Sequence, residues 1–299
     1  MASQNAAGIT YAELARSNGL TRGQVARRVY DYKHKRRRKK RLTADVPAKI
    51  LIFDIETTPI LAFTWGVWQQ NIPYTFIEQD WHLLSWAAKW LFDSEIMSDV
   101  LTPREAKKHD DLRATKSMWT LLDEADIVVA HNAKGFDVKK LNTRFIYHGL
   151  TPPSHYHIID TLTIARSVFK FTSNKLDSIN DILGLDKKIE TEFELWRQCY
   201  YGNKEALHDM EVYNIHDVLI LEEAYLKIRP WIKNHPNVNV YGDMDKQRCK
   251  NCASDRLCPN GEYTTPLSVY NSFRCENCGA LNRNRTNSVQ KEQRTTLLR

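Results

Sequence analysis

The pattern of apolar and polar positions predicts a central sheet with helices packed around it. The apolar runs at residues 50–53 and 126–131 are each typical of a strand that is buried on both faces. Further strands are predicted at residues 63–70, 74–77, 82–92, 95–101 and 157–160. Apolar residues at helical spacing predict helices at residues 103–125, 136–148, 175–183, 190–200 and 203–226. Strands followed by alternating strands and helices predict an α/β fold, in which one mixed sheet is layered with helices over residues 49–240.

The segment before this core has the end signals of two short helices. Gly19 suits the left-handed end of a first helix, and Thr21 suits the N-cap of a second. The spacing of Ala15, Gly19 and Val25 resembles a helix-turn-helix unit, which we predict for residues 1–32. In a DNA-binding unit, the second helix would present four polar side chains to a groove: Arg22, Gln24, Arg27 and Arg28. The alternative is an ordinary helical hairpin, because the pattern has only three small or apolar residues.

A basic run follows at residues 33–41, where eight of nine residues are Lys or Arg, including Arg36, Arg37 and Arg38. Mutual repulsion keeps such a run from folding alone, so residues 33–48 are predicted to be a linker or arm. Its use would be to neutralise phosphates, with an affinity that falls steeply with salt. A localisation signal has the same composition and is the alternative.

Two CxxC pairs predict a metal site near the C-terminus, in a zinc ribbon at residues 246–281. Four thiolates at this spacing can close a tetrahedral Zn²⁺ site, and the pairs are Cys249 with Cys252 and Cys275 with Cys278. A redox-active CxxC is the rival interpretation. Cys258 either replaces one ligand or is free. The polar residues 282–299 are expected to form a disordered tail.

Four acids and a tyrosine form the candidate catalytic set. Asp54 and Glu56 lie two apart at the end of a predicted strand, so both side chains leave on one face. Asp137 follows the second buried strand, while Tyr213 and Asp217 lie four apart on one face of the last predicted helix. Oxygen-only ligands select hard divalent ions such as Mg²⁺ or Mn²⁺. Four carboxylates can hold two such ions about 3.5–4 Å apart for in-line displacement at phosphorus.

These residues stand in three motifs that resemble those of the DEDD superfamily of RNase H-like 3′–5′ exonucleases. The motifs are Phe53-Asp-Ile-Glu-Thr57, Asn132 to Asp137, and Tyr213-x-x-x-Asp217. The tyrosine marks the DEDDy branch, because the His of the other branch would stand at Val212. The likeness is to the proofreading domain of family B DNA polymerases and its stand-alone relatives, and it covers roughly residues 49–228.

The resemblance implies a role for each motif residue. Four acids would be the ligands of two Mg²⁺ or Mn²⁺ ions: Asp54, Glu56, Asp137 and Asp217. Tyr213 would orient the attacking water, and Asn132 and Phe136 would grip the 3′ end. Asp160 is either a further acid behind this site or a cap at the end of a strand.

Composition and charge extend this picture to the whole chain. With 299 residues, 42% hydrophobic and 26% charged, the chain can form one sizeable core with small modules, and a wholly disordered chain is excluded. Residues 1–50 carry a net charge of +10 and residues 246–299 one of +6, whereas residues 51–245 carry −9. Basic ends are typical of modules that bind a polyanion, and an acidic centre is typical of a cation site. We expect no membrane span, no secretory signal and a cytoplasmic location.

The predicted function is therefore metal-dependent 3′–5′ exonuclease activity on DNA by a two-metal-ion mechanism. No polymerase domain is recognisable, so proofreading or processing would occur in trans with a DNA polymerase or replication protein. The alternatives are an RNA exonuclease, a structure-specific endonuclease, and a DNA-binding regulator whose nuclease-like core is not catalytic.

Overall fold

The structure is a computed structural model that describes residues 16–17 and 46–296. Most of the predicted helix-turn-helix and basic linker therefore lies outside the described residues. The same holds for all seven N-terminal residues that we expect to contact DNA: Arg22, Gln24, Arg27, Arg28, Arg36, Arg37 and Arg38.

A five-stranded mixed sheet forms the centre of the fold, which confirms the predicted α/β class. Its strands, in chain order, are β1 (Ile50–Thr57), β4 (Leu83–Trp90), β5 (Met97–Val100), β6 (Ile127–Ala130) and β7 (His157–Asp160). Across the sheet the order is β5-β4-β1-β6-β7. β1 runs antiparallel to β4 and parallel to β6, so the continuously apolar runs occupy the middle of the sheet, as their composition predicts.

Helices cover both faces of this sheet. They are α1 (Pro103–Lys108), α2 (Leu112–Glu124), α3 (Asp137–Tyr147), α4 (Thr161–Val168), α5 (Leu176–Ile182), α6 (Phe193–Tyr200) and α7 (Lys204–Ile228). α2 and α3 pack on one face, and α5 with the second half of α7 pack on the other. Side chains of β1 alternate between these faces, since Phe53 and Ile55 join the first cluster and Ile52 the second. Asp54 and Glu56 lie on the same face of β1 as Ile52, so both acids point toward α7.

The segment at residues 63–70 was predicted to be a strand, and this prediction was wrong. Only the short strands β2 (Leu61–Ala62) and β3 (Ile77–Gln79) pair there, and Tyr74–Phe76 is a 3-10 helix. A local turn competes with extension, because the Thr64 hydroxyl bonds both the amide and the carbonyl of Gly66. High strand propensity without a partner strand or a core to pack on does not produce a strand.

The single helix predicted at residues 103–125 is two helices. Thr102 and Glu105 form a capping box that starts α1, and the backbone of His109 then turns into the left-handed region, with a φ of 54°. α2 starts three residues later, directly after the buried Asp111. α4 was not predicted; the side chain of Asp160 caps its first turn by accepting from the amides of Leu162 and Thr163.

Asp111 joins three elements through a buried ion pair. Its carboxylate accepts hydrogen bonds from Arg144 at 2.6–2.7 Å, from the amide of Leu83 at 2.7 Å, and contacts His148 at 2.6 Å. Burial disfavours the charge, but these donors outweigh burial, and the pKa of Asp111 is lowered. The start of β4 is thereby attached to α3, the helix that begins at Asp137.

We predict that Asp111→Asn lowers the free energy of unfolding by about 3–5 kcal/mol, because it leaves the Arg144 guanidinium buried without its counter-ion. Urea denaturation at neutral pH measures this change. The matched control is Asp110→Asn. Asp110 is exposed and accepts a hydrogen bond from the amide of Leu112, and an Asn side chain can accept the same bond. Equal stabilities of the two variants would contradict the assigned role of Asp111.

A three-stranded antiparallel sheet forms the C-terminal module, with strands β8 (Leu257–Thr265), β9 (Ser268–Cys275) and β10 (Leu281–Arg283). Residues expected to be a disordered tail instead extend this sheet. β10 is part of it, and the amides of Asn284 and Ser288 bond the carbonyls of Asn271 and Val269. A short helix, α8, follows at Lys291–Arg294. The backbone carbonyls of β9 accept these hydrogen bonds, and this pairing explains why the segment departs from the predicted disorder.

Among the described residues, no helix combines the length and the apolar character that crossing a bilayer requires.

Candidate metal and nucleic-acid site

Three acids from distant parts of the chain meet beside β1. Oxygen atoms of Asp54, Glu56 and Asp217 all lie within 4.8 Å of one another. β1 supplies the first two by its alternation, and α7 supplies the third from its sheet-facing side. Asp217 is buried, whereas Asp54 and Glu56 are partly exposed. The structure therefore brings together three of the four predicted acids.

The fourth acid, Asp137, lies next to this triad but is not part of its 4.8 Å group. It is buried at the first position of α3, and the backbone amide of Ile55 bonds its carboxylate. Ile55 lies between Asp54 and Glu56 on β1. Its hydrogen bond therefore places Asp137 close to the part of β1 that carries these two acids.

Burial and mutual repulsion make these acids hard to ionise. Burial, followed by the charge of Asp217, raises the pKa of Asp54 well above its ordinary value. Burial is also the main cause that raises the pKa of Glu56 to about 7 and that of Asp137 to about 7. The pKa of Asp217 is raised too, again by burial. A cation that balances these carboxylates would bind strongly, because it would remove the repulsion among them.

Lys188, which the sequence analysis did not identify, places a positive charge at the triad. Its ammonium lies 2.5 Å from Oδ2 of Asp217 and 3.4 Å from the hydroxyl of Tyr213. Burial opposes the charge, but the carboxylates of Asp217 and Asp54 outweigh burial and raise the pKa of Lys188. Lys188 therefore stays charged at neutral pH.

The loop that carries Lys188 is held at two points. The carboxylate of Asp177 accepts a hydrogen bond from the Lys188 amide at 3.0 Å. The buried His216 contacts the carbonyl of Lys187 at 2.6 Å. Asp177 and His216 come from α5 and α7, so two helices position the Lys188 ammonium.

Tyr213 lies at the edge of the triad as a neutral phenol. Burial, followed by the charge of Asp217, raises its pKa above the ordinary value. Its ring meets the ring of Trp196 edge to face at 5.8 Å. The indole N–H of Trp196 donates to Glu56 at 3.2 Å, so α6 contacts both the tyrosine and an acid.

A buried hydrogen-bond chain orients Asp54. The side-chain amide of Asn214 donates to Oδ2 of Asp54 at 2.7 Å, and the Ser85 hydroxyl donates to Asn214 at 3.1 Å. Ser85 is the residue of β4 that pairs with Glu56. Asn214 and Ser85 are both buried, so this carboxylate has one fixed orientation.

The loop after β6 carries Asn132 and Phe136, the predicted contacts to the 3′ end. Asp160 fixes it, because its two carboxylate oxygens accept the amides of Asn132 and Lys134 at 3.1 and 3.0 Å. Asp160 is thus a cap for this loop as well as for α4. Asn132 has a φ of 75°, and a Cβ at Gly135 would lie 2.4 Å from its side-chain oxygen. A side chain at residue 135 would therefore displace the side chain of Asn132 from its place in the loop.

A cleft of about 560 Å³ reaches the triad at Asp54, the one triad acid in its lining, and its volume suits a nucleotide-sized ligand. Asp54 and Asn132 line it together with three cationic side chains, those of Arg166, Lys175 and Lys188. The cleft therefore combines an acidic floor with basic walls, as a site for metal ions and phosphate requires.

The triad fits a hard divalent ion. All its donors are carboxylate oxygens, and Oδ1 of Asp217 is buried without a hydrogen-bond partner. Such an unpaired acceptor beside two further carboxylates suits coordination to a cation.

Four cysteines of the C-terminal module form a second candidate metal site. The sulfur atoms of Cys249, Cys252, Cys275 and Cys278 lie within 4.8 Å of one another, and two of the pairs are 3.6 Å apart. A tetrahedral Zn²⁺ site with Zn–S bonds of about 2.3 Å needs sulfurs about 3.8 Å apart, so the cluster fits zinc. Side-chain amides of Asn282 and Asn277 donate to two of the sulfurs.

Cys258 lies apart from this cluster. It is exposed and contacts the carboxylate of Glu276 at 2.8 Å. The structure therefore assembles the two CxxC pairs without it.

A comparison with protein-family models supports the fold. A family model of the RNase H superfamily matches residues 95–228, a range that contains Asp137, Tyr213 and Asp217 but begins after β1. Residues 95–228 are therefore similar to the RNase H superfamily, in agreement with the mixed sheet and its flanking helices. One similar solved structure is the family B DNA polymerase from the hyperthermophilic archaeon Pyrobaculum calidifontis, at 17% identity and a TM-score of 0.47. The match covers 62% of this chain and 25% of the polymerase chain. No curated protein matches.

Proposed function

Starting from this RNase H-like domain and its acid cluster, we propose that the protein is a metal-dependent 3′–5′ exonuclease that hydrolyses the phosphodiester bonds of DNA. The observation that supports the proposal most directly is the convergence of Asp54, Glu56 and Asp217 within 4.8 Å, with Tyr213 beside them. Structural acids rarely gather in this number without a cation to balance them. We propose two Mg²⁺ or Mn²⁺ ions here and one structural Zn²⁺ in the cysteine cluster.

Asp54, Glu56 and Asp217 would hold the divalent ions, and Asp137 would add a fourth carboxylate. Bound there, the ions supply the Lewis acidity that activates water and offsets the charge of the phosphate. Asn214 keeps the carboxylate of Asp54 in one orientation. The phenol of Tyr213 stays protonated, so it can hold a water in line with the scissile bond.

The basic walls of the cleft would bind the strand. Arg166 and Lys175 line the cleft on the side of α4 and α5, and Asn132 lines it from the loop after β6. The Lys188 ammonium offers a further positive charge next to Asp217. These groups attract the phosphates that the acidic floor alone would repel. Proofreading in trans with a polymerase remains a prediction.

The test is digestion of single-stranded DNA by the purified full chain with and without Mg²⁺ or Mn²⁺. A 5′-labelled strand is expected to give a ladder that shortens stepwise, and a 3′-labelled strand is expected to release a labelled mononucleotide first. Internal fragments would identify an endonuclease, and preferential loss of an RNA strand would identify an RNA exonuclease. An intact strand that shifts on a gel would identify a binding protein.

We predict that Tyr213→Phe slows hydrolysis by about 10- to 100-fold, the range typical of residues that orient catalytic groups. The substitution removes the hydroxyl but keeps the ring that packs on Trp196. Single-turnover rates at saturating Mg²⁺ measure the effect. A loss as large as that caused by removing an acid would show that the hydroxyl does more than orient water.

A further inference from the structure

An uncharged aromatic segment follows the acid-bearing strand directly. Residues 57–77 contain no Asp, Glu, Lys, Arg or His, although charged residues make up 26% of the chain. Trp65 and Trp68 are 94% and 84% exposed, and Phe63, Val67 and Tyr74 are at least 70% exposed. We call residues 60–76 the aromatic segment. Exposed apolar groups of this size mark an interaction surface.

Both ends of the aromatic segment are fixed to the fold. Thr58, just before it, exchanges backbone and hydroxyl hydrogen bonds with the buried His82. Inside the segment, the amide of Phe63 bonds the carbonyl of Phe76 at 2.9 Å, and β2 pairs with β3 around this bond. The aromatic side chains are therefore presented from a closed hairpin.

The hairpin lies beside the acid cluster. Glu56 is four residues before its first residue, and α6 contacts that acid through Trp196. A cavity of about 510 Å³ separates the base of the hairpin from the end of α6, with Leu61 on one side and Tyr200 and Tyr201 on the other. This volume is within the range of small-ligand sites.

Unpaired bases are the occupant that this chemistry favours. Aromatic rings stack on every base, and a surface without carboxylates does not repel the phosphates between them. The run Gln69, Gln70 and Asn71 adds amides that can bond base edges. The segment follows directly on the strand that carries Asp54 and Glu56, so its rings stand close in the chain to the acids at which the strand would be cut.

We propose that the aromatic segment binds unpaired nucleotides by base stacking and so holds the strand outside the cleft that Asp54 lines. This inference rests on the proposed exonuclease function and adds a nucleic-acid contact to it. Docking of a partner protein on the same side chains is the competing outcome.

The test compares two double variants of the full chain. Trp65→Leu with Trp68→Leu removes the rings, whereas Trp65→Phe with Trp68→Phe retains them. Trp231→Leu is the matched control, since this tryptophan is 60% exposed and lies after α7. Affinity for a fluorescent oligo-dT strand is measured in EDTA, so that no hydrolysis is needed. Elevated salt suppresses phosphate contacts from the basic ends and leaves the stacking contribution.

We expect the leucine variant to lose about tenfold or more in single-strand affinity for each stacked base, with the phenylalanine variant and Trp231→Leu near wild type. Binding to a blunt duplex should change little. Melting temperatures equal to wild type would show that all variants fold, as the exposure of both tryptophans leads us to expect. Wild-type single-strand affinity in the leucine variant would overturn the inference and favour a protein partner.

The two proposals fail in different ways. Cleavage by the wild type, combined with unchanged binding and KM in the leucine variant, would refute only the stacking surface. Tryptophan-dependent binding without any hydrolysis in Mg²⁺ or Mn²⁺ would refute the exonuclease and leave the surface in place.

Discussion

Replacing Asp54 by Asn is expected to abolish hydrolysis and to stabilise the protein in EDTA. The substitution keeps the shape and the bond to Asn214 but removes one of three converging carboxylates. We expect turnover to fall by at least about 1,000-fold, since even residues that only support metal ligands cost 10- to 100-fold. DNA binding should persist, because the basic walls of the cleft are unchanged.

The stability gain follows from the raised pKa of Asp54. A carboxyl whose pKa is higher in the folded than in the unfolded protein binds more protons when folded. Its ionisation therefore destabilises the fold as the pH rises above its ordinary pKa. Glu56 and Asp137, with pKa values of about 7, add to this effect between pH 5 and pH 8.

In EDTA, we therefore expect Asp54→Asn to melt at a higher temperature than wild type, with a larger difference at pH 8 than at pH 5. Mn²⁺ should raise the melting temperature of wild type and should raise that of the variant much less. Asp243→Asn is the matched control at an exposed acid. If Asp54→Asn cleaves DNA at the wild-type rate, the assignment of the site is wrong.

Replacing Cys252 by Ser is expected to release zinc and unfold the C-terminal sheet. The four sulfurs lie at the separations of a tetrahedral site, and binding of structural Zn²⁺ contributes about 10–16 kcal/mol in small zinc modules. A sheet of three strands with so few buried apolar residues cannot replace that contribution. Elemental analysis should show about one zinc per chain in wild type and almost none in the variant.

Cys258→Ser is the matched control, because this exposed cysteine lies in the same module but outside the cluster. It should keep its zinc and its resistance to proteolysis over residues 249–283. Loss of zinc in both variants would mean that Cys258 is a ligand. Zinc-free wild type whose cysteines form reversible disulfides would instead support the redox interpretation.

Simple periodicities were sufficient to predict which candidate side chains share a face. Alternation along β1 turns Asp54 and Glu56 to one face, and the four-residue spacing on α7 aligns Tyr213 with Asp217. Asn214 stands three residues before Asp217, a helical spacing that turns it to the side of that acid, so the Asn214 bond to Asp54 was within reach of sequence reasoning.

Lys188 could not be predicted in this way. It stands in an irregular loop between α5 and α6, where no period relates a residue to the sheet, and its position depends on bonds to Asp177 and His216. The strand prediction at residues 63–70, within the aromatic segment, was wrong for the opposite reason. The composition of this segment has high strand propensity, but its side chains have no core to pack on, and a hydroxyl-based turn at Thr64 prevails.

The end of α7 is attached to the C-terminal module. The side chain of Asn251 bonds the carbonyl of Arg229 at 2.8 Å, and Lys250 bonds the carbonyl of Lys233 at 2.7 Å. From Asp217 to the last residue of α7 is about 17 Å of continuous helix. This helix therefore fixes the distance between the cysteine cluster and the acids. A nucleic-acid strand that contacted both sites would have to span that distance.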